Sequence, residues 1–334
     1  MHTVHRTHSL PVNASEPGTT TWYQLVPNGE VPEGYEGSLL AIVRGTEDGP
    51  TGYIGAGTHG DEVNSIEAVR RVASTLDPTS VKGTVIFGVA QNLTSFNEHV
   101  RLNPLDSKNP DHCFPGSPDG SPTEVLAHTL FTEAITQADY VLDLHCASRG
   151  GWNPLYSVVF GETRDIAEQS IELAAQFGSR VVLEVEREEG KVLGSSIGSS
   201  LDHNLFIQAA LIGIPSAIVE FGASAQLTQA EVDLGVQGII NVLRSRGNLA
   251  DVTPIVFSPF ITVTSTTVHA PTSGFLTLEK HSGDVIHTKE RIGFIRDLLG
   301  NLTELHAPAD GVVLRTAAEA TVATGDRVVT IATK

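Results

Sequence analysis

Five apolar runs of strand length recur through the first two thirds of this chain, at residues 38–43, 52–56, 85–90, 140–145 and 214–220. Stretches of helical spacing lie between them. Ile66, Val69, Val72, Ala73 and Leu76 mark the first, residues 123–136 a second and residues 164–177 a third. Strands alternating with helices of this length predict α/β layers around a largely parallel sheet. Residues 22–26, stopped by Pro27, read as an edge strand, and the Gly-, Pro- and Glu-rich residues 27–37 as a loop.

The run at 52–56 leads directly into Gly57-Thr58-His59-Gly60-Asp61-Glu62 and then the first helical stretch. His59 and Glu62 therefore sit at a strand-to-helix junction, where side chains face the crevice at a sheet end. An imidazole and a carboxylate three residues apart can share one Zn²⁺. A catalytic zinc also needs a third protein ligand and an open position for water. His145 closes another apolar run, emerges at a sheet end as His59 does, and is the candidate third ligand. Asp143, on the same face, either accepts the second N–H of a metal-bound histidine or sits solvated at the strand end. Cys146 has metal-binding chemistry too, but strand alternation turns it to the opposite face and into the core. Glu220 closes the run at 214–220. A carboxylate there is costly to bury without a partner or a task. Beside a metal, its task would be to take a proton from an attacking water and return it to a leaving amine.

With 334 residues, 40% of them hydrophobic, the chain has room for a sizeable core and two domains. Its net charge of -18 disfavours nucleic acid or an anionic membrane as partner, and says little about a small-molecule substrate. Cys113 and Cys146 make no disulfide framework. The polar N-terminus, with His2, His5 and His8, reads as a frayed arm. It has no apolar stretch of signal-peptide length, no run spans a bilayer, and a cytoplasmic location is expected.

Taken together, His59-Gly60-Asp61-Glu62, Asp143-Leu144-His145 and Val219-Glu220-Phe221-Gly222 resemble the three signatures of the succinylglutamate desuccinylase/aspartoacylase family, relatives of the zinc carboxypeptidases. The resemblance covers residues 35–250. It implies a zinc-carboxypeptidase-like mixed sheet flanked by helices, and a hydrolase that removes acyl groups from amino acids or similar amines. It also implies the ligand set His59, Glu62 and His145, with Glu220 as general base. Residues 101–109 resemble the stretch in family deacylases acting on diamino acids, which implies that Arg101 polarises the scissile carbonyl.

The chain also departs from the family. Where the family has Asn-Arg ahead of Phe-Pro-Gly, with the arginine gripping a substrate carboxylate, this chain has Asp111 and His112 before Cys113-Phe114-Pro115-Gly116. A bidentate carboxylate clamp is missing. The tyrosine that enters the aspartoacylase site from its C-terminal domain has no counterpart, since no tyrosine follows Tyr156. Asp111 is then expected to attract a cationic group, or His112 to touch a neutral acyl portion, with Arg149 as a replacement anion contact. Two function classes result: a zinc-dependent amidohydrolase, or a metallo-carboxypeptidase or non-catalytic zinc-binding module on the same scaffold. Glu220 favours an enzyme over a binding module, and the missing arginine disfavours a carboxypeptidase.

The C-terminal part repeats itself. His269-Ala270-Pro271 recurs as His306-Ala307-Pro308, Gly274 as Gly311, and Gly283-Asp284 as Gly325-Asp326. Two halves of short strands predict a small all-β domain resembling a biotinyl/lipoyl barrel over residues 253–334, after a hydrolase domain at 1–252. Residues 296–305 contain no lysine for a carrier arm. The domain therefore reads as structural, shaping the site entrance or a homo-oligomer contact.

Overall fold

A computed structural model describes residues 2–188, 191–193, 201–250 and 258–333. In chain order its first part contains β1 (Val4–Thr7), β2 (Thr19–Leu25), β3 (Ser38–Arg44), β4 (Glu47–Ala56), α1 (Val63–Thr75), β5 (Lys82–Ala90), α2 (Leu93–Asn97), α3 (Pro122–Glu133), β6 (Tyr140–Ala147), β7 (Gly151–Val159), α4 (Arg164–Phe177), β8 (Val181–Glu184), a small β9–β10 pair (Glu186–Glu188 with Lys191–Leu193), α5 (Leu205–Leu211), β11 (Ser216–Ala223) and α6 (Gln229–Ser245). The sheet runs β1-β2-β3-β5-β4-β6-β11-β7. Its centre, β5, β4, β6 and β11, is parallel, while β3 and β7 flank that centre antiparallel. The sheet is thus mixed, as the family resemblance implies.

The apolar runs are continuous because both faces of the central strands are buried. Ala41, Val43, Ile54, Val85, Phe87, Leu142 and Val219 turn to one face, against α1, α4 and α6. Leu40, Ile42, Tyr53, Ile86 and Val141 turn to the other, against α3 and α5. All four parallel strands present their C-terminal ends at one edge. Glu220 on β11 is directly opposite His145 on β6 in the parallel register.

Three expectations need correction. The N-terminal arm is not frayed. Val4–Thr7 pairs in parallel along β2, His2 stacks on Trp22 at 5.1 Å, and β1 rather than β2 is the sheet edge. The β-branched Val4 and Thr7 suit a strand, and pairing satisfies backbone groups that β2 would otherwise expose. Neither His145 nor Glu220 ends its strand: β6 continues to Ala147 and β11 to Ala223, with a register shift just after Glu220. The strand β7 and the helix α6, which sequence patterning missed, complete the sheet and one helical layer.

After the β12 strand (Phe260–Thr262), which pairs with β8, come β13 (Thr264–His269), β14 (Gly274–Leu278), β15 (Val285–Ile286), β16 (Arg291–Arg296), β17 (Leu302–His306), β18 (Gly311–Ala317), β19 (Thr321–Val322) and β20 (Arg327–Thr333). The expected boundary between residues 252 and 253 lies outside the described residues. The sequence repeat is a structural one. The pair β13–β20 is matched by β17–β16, β14–β16 by β18–β20, and β15–β18 by β19–β14. Ala270 and Ala307, the repeated alanines, are both buried in the one core these strands enclose. The unit is not separate from the main sheet, because Thr316 and Ala317 of β18 pair with Trp152 and Gly151 of β7. Among the described residues no helix is long and apolar enough to cross a membrane.

The turn between β4 and α1 is tightly packed. A Cβ on Gly60 would lie 2.0 Å from the carbonyl carbon of Ser95 and 2.2 Å from the amide nitrogen of Phe96, both backbone atoms that cannot swing aside. Gly60→Ala should therefore destabilise the protein by roughly 1–3 kcal/mol through overpacking, seen as a lower Tm. An unchanged Tm would show that this turn is less constrained than its packing indicates.

Candidate active site

His59, Glu62 and His145 converge at the C-terminal sheet edge, each no more than 2% exposed. His59 Nδ1 lies 2.8 Å from Glu62 Oε1, and His145 Nδ1 lies 3.0 Å from Glu62 Oε2. The two rings meet edge to face, 5.2 Å apart. Each ring is oriented through its other nitrogen. Nε2 of His145 is 3.0 Å from Asp143 Oδ2, and Asp143 Oδ1 accepts from Gln91 at 2.6 Å. Nε2 of His59 is 2.9 Å from Asn109 Oδ1. That amide oxygen also accepts the Asp111 backbone N–H, which fixes its orientation. Both histidines thus donate from Nε2 and turn Nδ1 toward Glu62, the arrangement outer partners impose on metal-binding imidazoles. Asp143 is fully buried against His145 and not solvated at the strand end.

Glu62 is held from two further sides: Arg101 Nη1 donates to Oε1 at 2.6 Å, and the Cys146 backbone N–H donates to Oε2 at 3.0 Å. Burial would raise the carboxyl's pKa, but His59 and His145 outweigh it and hold the group well below the usual carboxylate range. Burial likewise opposes a charged His145, yet Asp143 and Glu62 raise its pKa well above the ordinary value. Two imidazoles and a carboxylate with no thiolate suit zinc. The Cys146 thiol contributes no ligand to this set. It is buried, and burial with the Glu62 charge raises its pKa further.

Glu220 lies beside His145 in the same cavity and accepts a hydrogen bond from Asn153 Nδ2 at 2.8 Å. Burial raises its pKa to about 7, with His145 and Arg101 pulling it down and Glu62 pushing it up. Arg101, Asp111 and His112 line this cavity as well, a space of about 170 Å³ with room for a molecule of amino-acid size. One oxygen of Asp111 is 3.3 Å from His59 Nε2. The other is buried without a hydrogen-bond partner among the described residues.

Arg149 is placed differently from expectation. The turn at Gly150 carries it into a neighbouring shallow groove, where Nε pairs with Asp61 Oδ2 at 3.0 Å and the side chain is 61% exposed. The residues missed by sequence reading are Gln91, Asn109 and Asn153, which orient the ionisable groups, and Tyr156, Arg315 and Arg327 in the cavity wall. Asn109 stood within the stretch 101–109 already singled out. The others carry no local signal.

Two outcomes follow for metal binding. His145→Ala should abolish tight binding while the protein remains folded, so elemental analysis showing wild-type metal content would refute the ligand set. Metal binding must also displace the proton that Asp143 and Glu62 hold on the imidazole of His145. With that pKa raised, affinity should climb with pH through and above the ordinary histidine range, by roughly tenfold per pH unit for each proton released. Affinity measured from pH 6 to 8 and found flat would contradict the coupling.

Residues 48–246, more than half of the chain, match the succinylglutamate desuccinylase/aspartoacylase catalytic domain family. The chain is 27% identical over 304 residues to the N-alpha-acetyl-L-2,4-diaminobutyric acid deacetylase of Halomonas elongata, covering 88% of this chain and 84% of that protein. Among solved structures, a succinylglutamate desuccinylase/aspartoacylase from Rhodobacter sphaeroides superposes with a TM-score of 0.75 at 25% identity, over 88% of both chains. The product-bound ectoine utilization protein EutE (DoeB) of Ruegeria pomeroyi has the same fold, with a TM-score of 0.81 at 18% identity, covering 97% of this chain and 98% of that one. The chain belongs to the succinylglutamate desuccinylase/aspartoacylase family.

Proposed function

We propose that this protein is a zinc-dependent amidohydrolase that removes an acyl group from a small amine or amino acid derivative. The observation that carries this reading is the placement of Glu220 directly beside His145, the member of the His59–Glu62–His145 cluster that lines the cavity. Zinc bound by those three residues would supply Lewis acidity to an attacking water and to the acyl carbonyl. Glu220 takes the proton from that water as the C–O bond forms, and delivers it to the amine nitrogen as the C–N bond breaks. A carboxyl held near pH 7 by burial can do both. Arg101, anchored on Glu62, donates to the developing oxyanion. His112 contacts the acyl portion, and the partnerless oxygen of Asp111 takes a cationic group of the substrate. The relative from Halomonas elongata is named for an acylated diamino acid, which carries such a group, and that name supports the same class here. A retained Glu220 sets this reading above a module that only holds metal.

Glu220→Gln keeps the shape and the Asn153 contact but removes the base. Zinc content should stay at the wild-type level while kcat falls roughly 10²–10⁴-fold, tested on a panel of N-acyl amines and amino acids. An unchanged kcat, with zinc and Tm measured on the same preparation, would refute the role.

A further inference from the structure

Two arginines of the C-terminal unit line the same cavity as His145 and Glu220: Arg315 on β18 and Arg327 at the start of β20. They are two cations lining one small cavity, and Arg315 is largely buried there beside Arg327. Arg101, the other arginine of this cavity, pairs with a carboxylate, Glu62. Among the described residues neither Arg315 nor Arg327 does, and Arg315 has one hydrogen bond, to Ser148 Oγ at 3.2 Å. Burial and the neighbouring Arg327 cation push the Arg315 pKa down, so an anion between them would relieve both charges.

The fold makes room for this arrangement. A Cβ on Gly151 would lie 2.1 Å from Arg315 Cζ, so the guanidinium rests directly on the β7 backbone. The β18–β7 pairing at Ala317 and Gly151 fixes it there. Tyr156 stands in the same wall, its phenol kept neutral by burial and so available as a donor. His112, at the position where the family's carboxylate-gripping arginine is absent, lines the same cavity.

We infer that Arg315 and Arg327 form the carboxylate clamp of the substrate site, supplied by the C-terminal unit in place of the missing arginine. A pair of guanidinium groups offers the multiple parallel N–H donors that carboxylate recognition uses. The substrate is then an N-acyl amino acid, its carboxylate held by β18 and β20. The inference rests on the deacylase reading for what the carboxylate belongs to, but not for its capture.

The test uses full-length zinc-loaded protein and calorimetric binding of N-acetyl amino acids and N-acetyl diamino acids, each compared with its carboxamide. Wild type should prefer carboxylates over the matched amides. Arg315→Met and Arg327→Met should each weaken carboxylate binding roughly 10–100-fold, as expected for loss of a charge-assisted partner, and leave amide binding unchanged. Gly151→Ala, which displaces the Arg315 guanidinium, should reproduce the Arg315 effect. Arg327 is exposed at a strand start, so its variant stays folded if that of Arg315 does not. Wild type without preference, or preference retained in both arginine variants, overturns the clamp. Turnover on the same panel is read separately. Binding discrimination without turnover would refute the deacylase reading and keep the clamp, whereas turnover without discrimination would do the reverse.

Discussion

The carboxylate of Glu62 is 1% exposed, and an isolated charge so placed is prohibitively costly. Here it is the common partner of two imidazoles, a guanidinium and a backbone N–H. Removing any one of these leaves charge buried without compensation, a larger loss than the interaction itself contributes. The cluster therefore depends on His59, Arg101 and His145 arriving together from three separate segments. Parallel pairing of β4, β6 and β11 brings two of those segments to the same edge, and the close-packed turn at Gly60 sets the third contact.

The cavity above that cluster is made by both parts of the chain. The first part provides the ionisable cluster and Glu220, and the pairing of β18 onto β7 brings in a cationic wall from residues far away in sequence. The pseudo-twofold β unit is thus joined to the site through its second half. Its first half ends in the β16–β17 turn, where Leu298 and Leu299 are 87% and 88% exposed.

Much of this was legible in the sequence, for a physical reason. Strands buried on both faces write themselves as apolar runs, and a histidine or glutamate at the end of such a run stands out against them. That signal marks His145 and Glu220, and the turn just beyond such a run marks His59 and Glu62. The same signal misplaced the strand ends, because reading stopped at the first polar residue while β6 and β11 continue into Cys146-Ala147 and Phe221-Gly222-Ala223. Side chains that act by being near something else left no trace. Gln91, Asn109 and Asn153 look like any loop or strand amide, and Arg315 and Arg327 gain meaning only from a strand pairing that links residues 151 and 317. The β7 strand itself was hidden by Pro154 and by its polar alternation. The N-terminal arm misleads because its polar composition reads as disorder, whereas backbone pairing of Val4–Thr7 with β2 orders it.

We propose that two imidazoles and one carboxylate, and no sulfur, hold the metal. X-ray absorption at the zinc edge on protein loaded with one equivalent of zinc tests this directly. The account predicts a first shell of nitrogen and oxygen only, at about 2.0–2.2 Å, with the outer-shell scattering pattern of two imidazole rings. A sulfur scatterer at about 2.3 Å, which would bring Cys146 into the ligand set, or a shell with no imidazole, would contradict it.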